Sequence, residues 1–354
     1  MEHLIKLLEK LRKDGALKES EWLSLLEAGQ DQKFRAAAAE MARAITLESF
    51  GKRIFFRGII EFSNFCVNDC LYCGIRRSNS KVDRFRMDES AILECCKAGF
   101  DSGLRTFVLQ SGEDRFWNTE RLCALVKKIK EAFPQCAVTL SVGELPRNAY
   151  QQLFDAGADR YLLRHESASE EHFAMIHPPQ QQLSSRMRCL KDLKEIGFQT
   201  GCGFMVGTPG QTLEHLVRDM VFISEFKPHM VGIGPFIPHC DTPFGNAPSG
   251  RVELTLLLLS LCRIMDHQVL LPATTALGTL SADGRIQGIL AGANVIMPNI
   301  SPGELRKKYV LYNNKNSADS GNTARFFADL EDKLAAIGRQ IHVGRGDYGE
   351  KRSC

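Results

Sequence analysis

Four short phrases recur along this chain, each closing a helical stretch and opening a β-rich run: Lys97-Ala98-Gly99-Phe100, Asp155-Ala156-Gly157-Ala158, Glu195-Ile196-Gly197-Phe198 and Leu290-Ala291-Gly292-Ala293. Glycine there is the expected left-handed cap, where a helix ends and the chain turns back into a strand. From Arg53 onward β-rich runs alternate with amphipathic helices, and strands are expected at 54–62, 105–110, 137–142, 159–165, 200–206, 230–235, 269–275 and 293–297. Eight such strands over about 260 residues predict an α/β fold of the parallel (β/α)8 TIM type, with a doubly wound open sheet as the alternative. Leu4, Leu7, Leu8 and Leu11 recur at helical spacing and Ala36–Ile45 is rich in helix formers, so residues 1–50 are expected to be helices packed on the barrel. The barrel is expected over 51–312. Residues 313–354 read as a polar linker, a short helix around Arg325–Ile337 and a mobile Gly-rich charged tail.

Composition narrows the function classes. The 354 residues carry 45 basic and 42 acidic side chains, a formal net charge of +3, which gives no footprint for a nucleic-acid partner. Met1–Lys13 alternates charge with Leu and Ile, unlike a signal or transit peptide. No window reaches the ~20 apolar residues of a membrane span, and the run Leu254–Leu261 reads as buried helix. Twelve cysteines without a secretion signal predict a reducing, cytoplasmic setting rather than a disulfide framework.

Three of those cysteines, Cys66, Cys70 and Cys73, lie in Cys-Val-Asn-Asp-Cys-Leu-Tyr-Cys, directly after the first expected strand. Thiolate-rich sites favour zinc or iron–sulfur clusters. A structural zinc wants four ligands, commonly two pairs, but the chain has no second Cys-x-x-Cys pair and no histidine between His3 and His165. Inert buried thiols are the third possibility, and Asn64, Asn68 and Asp69 make the loop too polar for it. Three thiolates at these spacings can hold three irons of a 4Fe–4S cube and leave the fourth iron free to bind a substrate.

The C-terminal strand ends, where a barrel puts its active site, collect polar residues: Gln110-Ser111-Gly112-Glu113-Asp114, Ser141-Val142-Gly143-Glu144, Arg164-His165-Glu166, Thr274-Thr275-Ala276 and Met297-Pro298-Asn299. On strand four the pleat predicts that Arg160, Leu162, Arg164 and Glu166 share one face. Arginines inside a barrel are costly unless paired or bound to an anion. With Arg57 on strand one, they read either as a structural Arg–Glu pair or as a pocket for carboxylates. Gly201-Cys-Gly203-Phe-Met-Val-Gly207 has the wrong spacing, and the wrong place within a strand, for a dinucleotide fingerprint. His165, His177 and His239 form no metal spacing and read as structural.

The Cys-x-x-x-Cys-x-aromatic-Cys motif, with Tyr72 as the aromatic, resembles that of the radical S-adenosylmethionine (SAM) enzymes. Further strings narrow the resemblance to the biotin-synthase-like group and, within it, to a FeFe-hydrogenase maturase family. They are Ile-Glu-Phe-Ser-Asn (60–64), Val-Leu-Gln-Ser-Gly-Glu-Asp (108–114), Asp-Arg-Tyr-Leu-Leu-Arg-His-Glu (159–166), Val-Gly-Ile-Gly-Pro-Phe-Ile-Pro-His (231–239), Pro-Ala-Thr-Thr-Ala (272–276) and Gly-Ala-Asn-Val-Ile-Met-Pro-Asn (292–299). The resemblance implies that Cys66, Cys70 and Cys73 ligate one 4Fe–4S cluster whose open iron is chelated by SAM. It implies a SAM pocket lined by Tyr72, Gln110, Ser111, Gly112, Glu113, Ser141, Arg164, Glu166, Arg186 and Tyr309. A deeper substrate cavity with an anion-binding floor would involve Arg57, Thr139, Arg160, Thr274, Thr275, Ala276 and Met297. Reductive cleavage of SAM to a 5′-deoxyadenosyl radical is the implied reaction. A cysteine-bound iron carbonyl–cyanide complex is the implied substrate, with HydG and HydF as maturation partners and a reducing electron donor. Some members carry a second cluster near the C-terminus; the absence of cysteine between Cys262 and Cys354 means that site cannot be built here. Three alternatives stay open: an amino-acid mutase of the methylornithine-synthase type, a biotin-synthase-like sulfur inserter, and a non-catalytic iron–sulfur scaffold.

Overall fold

The computed structural model describes residues 1–315 and 323–349. Its centre is a ring of short parallel strands. Strand one runs through Arg53–Phe56 and Gly58–Ser63, broken at Arg57, and is followed by Thr106–Ser111, Ala137–Ser141, Arg160–Leu162, Gln199–Cys202 and Met230–Val231 in spatial order. Strand seven is reduced to single parallel bridges, Met230 to Leu270 and Pro272 to Val295. Strand eight, Val295–Ile296, pairs with Phe55 and Phe56 and closes the circuit. Seven of the eight expected strands form ladders, the expected 269–275 survives as bridges, and the open sheet is excluded, because the last strand returns to the first.

The helices outside the ring form where capping and periodicity agree. Asp88, Asn118 and Thr212 each accept a backbone N–H at the start of Glu89–Asp101, Thr119–Ala132 and Leu213–Phe226. Of the four expected cap glycines, Gly157, Gly197 and Gly292 do adopt positive φ. Gly99 does not. It lies inside Glu89–Asp101, where an added Cβ would come 2.9 Å from Ile300 Cδ1, and Gly103 takes the left-handed position instead (φ 90°). The N-terminal helices Glu2–Asp14, Glu19–Glu27 and Gln32–Phe50 pack on the barrel's outer helices, Gln32–Phe50 along Val252–Met265 and Glu19–Glu27 along Leu213–Phe226, with Trp22, Leu25 and Phe34 fully buried.

The tail departs from expectation. After the helix Thr323–Ala336, Gln340–His342 forms a strand parallel to Arg53–Phe55. The chain then crosses the lower mouth of the barrel. Arg345 carbonyl accepts from Thr106 Oγ1 and Arg160 Nη2 (both 2.8 Å), Gly346 carbonyl accepts from Arg57 Nη2 (3.1 Å), and Asp347 takes Gln199 Nε2 (2.8 Å) and an ion pair from Arg160. Residues 339–349 are therefore a seated plug rather than a mobile tail, because the barrel floor offers buried cations that need acceptors. Of the expected linker 313–322, only Asn313, Asn314 and Lys315 fall among the described residues.

Candidate active site

The cluster loop leaves strand one and is stitched down by its own polar residues. Arg84 donates to the carbonyls of Asn64, Ile75, Arg76 and Asn79, while Asn64 Nδ2 reaches the carbonyls of Asp83 and Lys308 (both 2.9 Å). Burial would raise the Asp69 carboxyl, but Arg76 and Ser78 hold it at about 2. These bonds satisfy loop backbone that has no ladder to join.

The three thiols turn inward. Cys70 Sγ donates to Gln181 Oε1 (3.1 Å) and Cys66 Sγ accepts from Asn68 N–H (3.4 Å). Burial pushes all three pKa values up, Cys73 to about 12, and for Cys70 the neighbouring Cys73 and Cys66 push further. A concealed trio that resists ionisation is what a polynuclear cationic centre would reverse. Among the described residues the one set of three ligand atoms mutually within 4.8 Å is His239, Cys240 and Asp241. The sulfurs of Cys66, Cys70 and Cys73 are thus more widely spread than the ~3.8 Å of a tetrahedral zinc site, and they suit a cluster better than a single ion. In the other set, Asp241 N–H already donates to His239 Nδ1 (3.1 Å) and the Asp241 carboxylate binds Lys81 (2.6 Å).

Behind the loop, Tyr72 hydroxyl meets His177 Nε2 at 3.2 Å, and Phe173 stacks on the imidazole at 3.9 Å. A cavity of about 360 Å3 opens beneath the thiols, at the C-terminal ends of the strands. That volume lies in the range of cofactor sites. All three cysteines and Tyr72 line it, as do Gln110, Ser111, Gly112 and Glu113 at the end of strand two and Ser141 at the end of strand three. Arg164, Glu166 and Arg186 line it from the strand-four side, with Thr274, Thr275, Ala276, Met297 and Tyr309 on the remaining wall. Gly112 allows the close approach of strand two to the cluster loop, since an added Cβ would lie 2.3 Å from Phe65 carbonyl. Burial raises the Glu113 carboxyl, which accepts from Glu144 N–H (3.1 Å). Gly143 (φ 87°) must lack a side chain, because its Cβ would stand 2.0 Å from Glu113 Cγ.

Arg186 donates from Nε to Glu144 Oε1 (2.7 Å) and from Nη1 to Arg164 carbonyl. Burial is the largest influence and opposes its charge, but Glu144, Tyr72 and Glu166 together hold the pKa above the ordinary arginine value. Arg164 Nη2 and Glu166 Oε2 lie 3.1 Å apart as an ion pair without hydrogen-bond geometry, and these two atoms and Arg164 Nε are buried with no hydrogen-bond partner. Glu166 sits at φ 64°, a strained conformation for a non-glycine residue and one that clusters at ligand sites. Unmet donors and an unmet acceptor on one cavity wall fit a ligand carrying both carboxylate and hydroxyl groups.

Arg160, Leu162, Arg164 and Glu166 all face the barrel interior as the pleat expects, but at different heights. The strand-four ladder stops at Leu162, so Arg160 stays at the floor while Arg164 and Glu166 rise to the rim. Arg160, Arg57 and Thr139 line a separate space of about 10 Å3 under the main cavity, with Leu162 bordering both. Arg57 is 1% exposed, and its Nε and Thr139 Oγ1 have no hydrogen-bond partner. Sequence reasoning missed Gln181, Lys315 and Glu61. A glutamate inside the apolar run Ile59–Phe62 was a readable signal for the last.

Residues 60–223 match the Radical SAM superfamily model. The chain is 43% identical over 348 residues to the "[FeFe] hydrogenase maturase subunit HydE" of Thermotoga maritima, covering 98% of this chain and 97% of that protein. This chain is a radical SAM enzyme of the HydE family. Other members of the superfamily share its fold. A crystal structure of methylornithine synthase (PylB) superposes with TM-score 0.83 at 23% identity, over 95% of this chain and 97% of that one. The FeFe-hydrogenase maturase HydG from Carboxydothermus hydrogenoformans gives 0.78 at 20% identity, over 97% and 80%. Membership of the radical SAM family implies a 4Fe–4S cluster and SAM, and the HydE-family cavity has inward-facing, half-buried thiols and unmet polar atoms suited to such a pair. Among the described residues no helix is long and apolar enough to cross a membrane.

Proposed function

We propose that this HydE-family enzyme acts in FeFe-hydrogenase maturation, in the cytoplasm, on a cysteine-bound iron carbonyl–cyanide complex, with HydG and HydF as its maturation partners and a separate reductant as electron donor. The cluster would be held by Cys66, Cys70 and Cys73, leaving one iron for SAM. When bound, the cluster and SAM together supply an electron and a 5′-deoxyadenosyl radical. The protein's own part is to bind, orient and exclude water. Glu113 and Ser111 would meet the methionine end. Arg164 would hold a carboxylate and Glu166 a ribose hydroxyl. Tyr72, Gly112, Gln110, Ser141, Arg186 and Tyr309 would shape the remaining pocket. Thr274, Thr275, Ala276 and Met297 would form the substrate wall, and Arg57, Thr139 and Arg160 a cationic floor beneath it.

The single observation that carries this reading is the coincidence, in one 360 Å3 cavity, of three half-buried thiols with the Arg164–Glu166 ion pair, whose facing atoms make no hydrogen bond. Anaerobic reconstitution with iron and sulfide, followed by SAM-cleavage assays with cysteine-derived iron complexes, lysine and dethiobiotin in parallel, tests it. Preferential turnover of lysine would move the assignment to an amino-acid mutase, and of dethiobiotin to a sulfur inserter. No cleavage under any condition would leave only an iron–sulfur scaffold.

A further inference from the structure

Strands one and eight lie half-way round the barrel from strand four, and their wall of the cavity carries a buried charge pair. Glu61 is 2% exposed and Lys315 8%. Glu61 Oε1 accepts from Lys315 Nζ, and Oε2 accepts from Asn299 Nδ2 at 2.7 Å. Asn299 is itself fixed, its Oδ1 accepting from Ser301 N–H (2.9 Å), and Ser301 Oγ accepts from Glu61 N–H (2.7 Å). Two charges taken out of water need this completeness, and packed hydrophobic residues would stabilise the fold as well or better. The pair ties two segments 254 residues apart to one position on the cavity wall.

Lys315 ends a strap that begins at Lys308 and runs over the cavity. Lys308 carbonyl accepts from Asn64 Nδ2 (2.9 Å), Leu311 carbonyl from Gly74 N–H beside Cys73 (2.8 Å), and Asn313 N–H donates to Pro238 carbonyl (2.9 Å). These links are neutral, Lys308 adds an exposed ion pair with Asp83 (2.6 Å), and the Glu61–Lys315 pair is a buried charged fastening. Within the strap, Tyr309 is 1% exposed, stands under the ammonium of Lys315 at 5.1 Å, and lines the cavity together with Gln110 at the end of strand two. A cation over the ring face favours that orientation.

We propose that Glu61 and Lys315 are positioning residues that hold Tyr309 in the cavity wall and keep the strap 308–315 shut on the cluster loop, fixing the SAM side of the cavity from the opposite wall. This rests on the reading that SAM occupies the cavity. Lys315→Met would remove the ammonium that Glu61 Oε1 accepts from; Lys315→Arg would keep the cation; Glu61→Gln with Lys315→Met would remove both charges together.

The first readout is hydrogen exchange of peptides spanning 308–315 in the full-length, cluster-free protein. Lys315→Met is expected to speed exchange at least tenfold, and Lys315→Arg to return it to within about threefold of the unmodified chain. The second is made on reconstituted protein: equilibrium SAM binding, and the electron paramagnetic resonance signal of the reduced cluster with and without SAM. Lys315→Met should weaken SAM binding at least tenfold and lose the SAM-dependent change in the signal at unchanged iron content. The double variant should recover most of the affinity, and this arm decides if Lys315→Met is too unstable to purify. Unaltered strap exchange and SAM affinity in Lys315→Met and the double variant would overturn the inference. Failure of the unmodified, cluster-loaded chain to bind SAM would instead overturn the functional reading, and strap exchange would still decide whether the pair fastens the strap.

Discussion

A neutral imidazole stands behind the cluster-loop tyrosine. Burial, and then Arg186, push the His177 pKa down to about 3, and burial lowers His172 to about 4. Unfolded histidine titrates near ~6.5, so below that pH the unfolded chain takes up protons that the folded one refuses. Stability should therefore be flat above about pH 6.5 and fall as pH drops toward 3. In cluster-free protein the urea midpoint should be lower at about pH 5 than at about pH 7.5, and His177→Gln should narrow that gap; an unchanged gap would mean His177 contributes nothing to it. Gly143 is a second residue with a single job. Gly143→Ala meets both the left-handed penalty of about 1–2 kcal/mol and Glu113 Cγ, so it should weaken SAM binding at least tenfold, measured by equilibrium dialysis. Cys70→Ala should abolish both the cubane absorption and SAM cleavage, and full retention of cleavage would contradict the ligand assignment. The thiol motif and the Arg164–Glu166 pair were legible because they are local. Lys315 was not, because its burial depends on Glu61, 254 residues earlier.

At the scale of elements, strand four and the tail explain each other. Arg160 begins its strand at the lower mouth, and the tail supplies the carboxylate it lacks. Burial would raise the Asp347 carboxyl, but Arg160 and Arg345 hold it well below the usual range. Asp347 is 27% exposed at its side chain against 3% for Arg160, so removing its charge should cost less than a fully buried pair, about 1–3 kcal/mol. Asp347→Asn should lower the urea midpoint accordingly, and adding Arg160→Met should return part of the loss. The strands themselves were readable from apolar runs between cap phrases. Where strand four ended was not: its ladder stops at Leu162, and beyond the break Glu166 still bridges Phe204 and donates its N–H to Gly203 carbonyl (3.0 Å). Nothing local in 339–349 announces a plug, since its acceptors are meaningful only against Arg57, Thr106 and Arg160.

For the whole molecule, the ring of strands was predictable because alternation of strand and helix admits few closed parallel solutions, and the upper rim followed from the polarity of the strand ends. The energetic weight of the cofactors is not visible in sequence, but the three thiols facing the cavity give it a sign. A group that binds only the folded state adds stability through mass action. Reconstituted protein should unfold at higher urea than the cluster-free chain, and chelation of iron should bring the two midpoints together; equal midpoints before chelation would mean the thiols hold nothing.

Gln340–His342 lies beside Arg53–Phe55 after nearly the full length of the chain has intervened. A ladder of such sequence separation has a large closure entropy to overcome, so it belongs to the slow, late part of folding. Until it docks, Arg57 and Arg160 sit at an open lower end where water can reach them, and a chain interrupted ahead of residue 340 would keep that entrance permanently ajar below a site whose chemistry depends on staying dry.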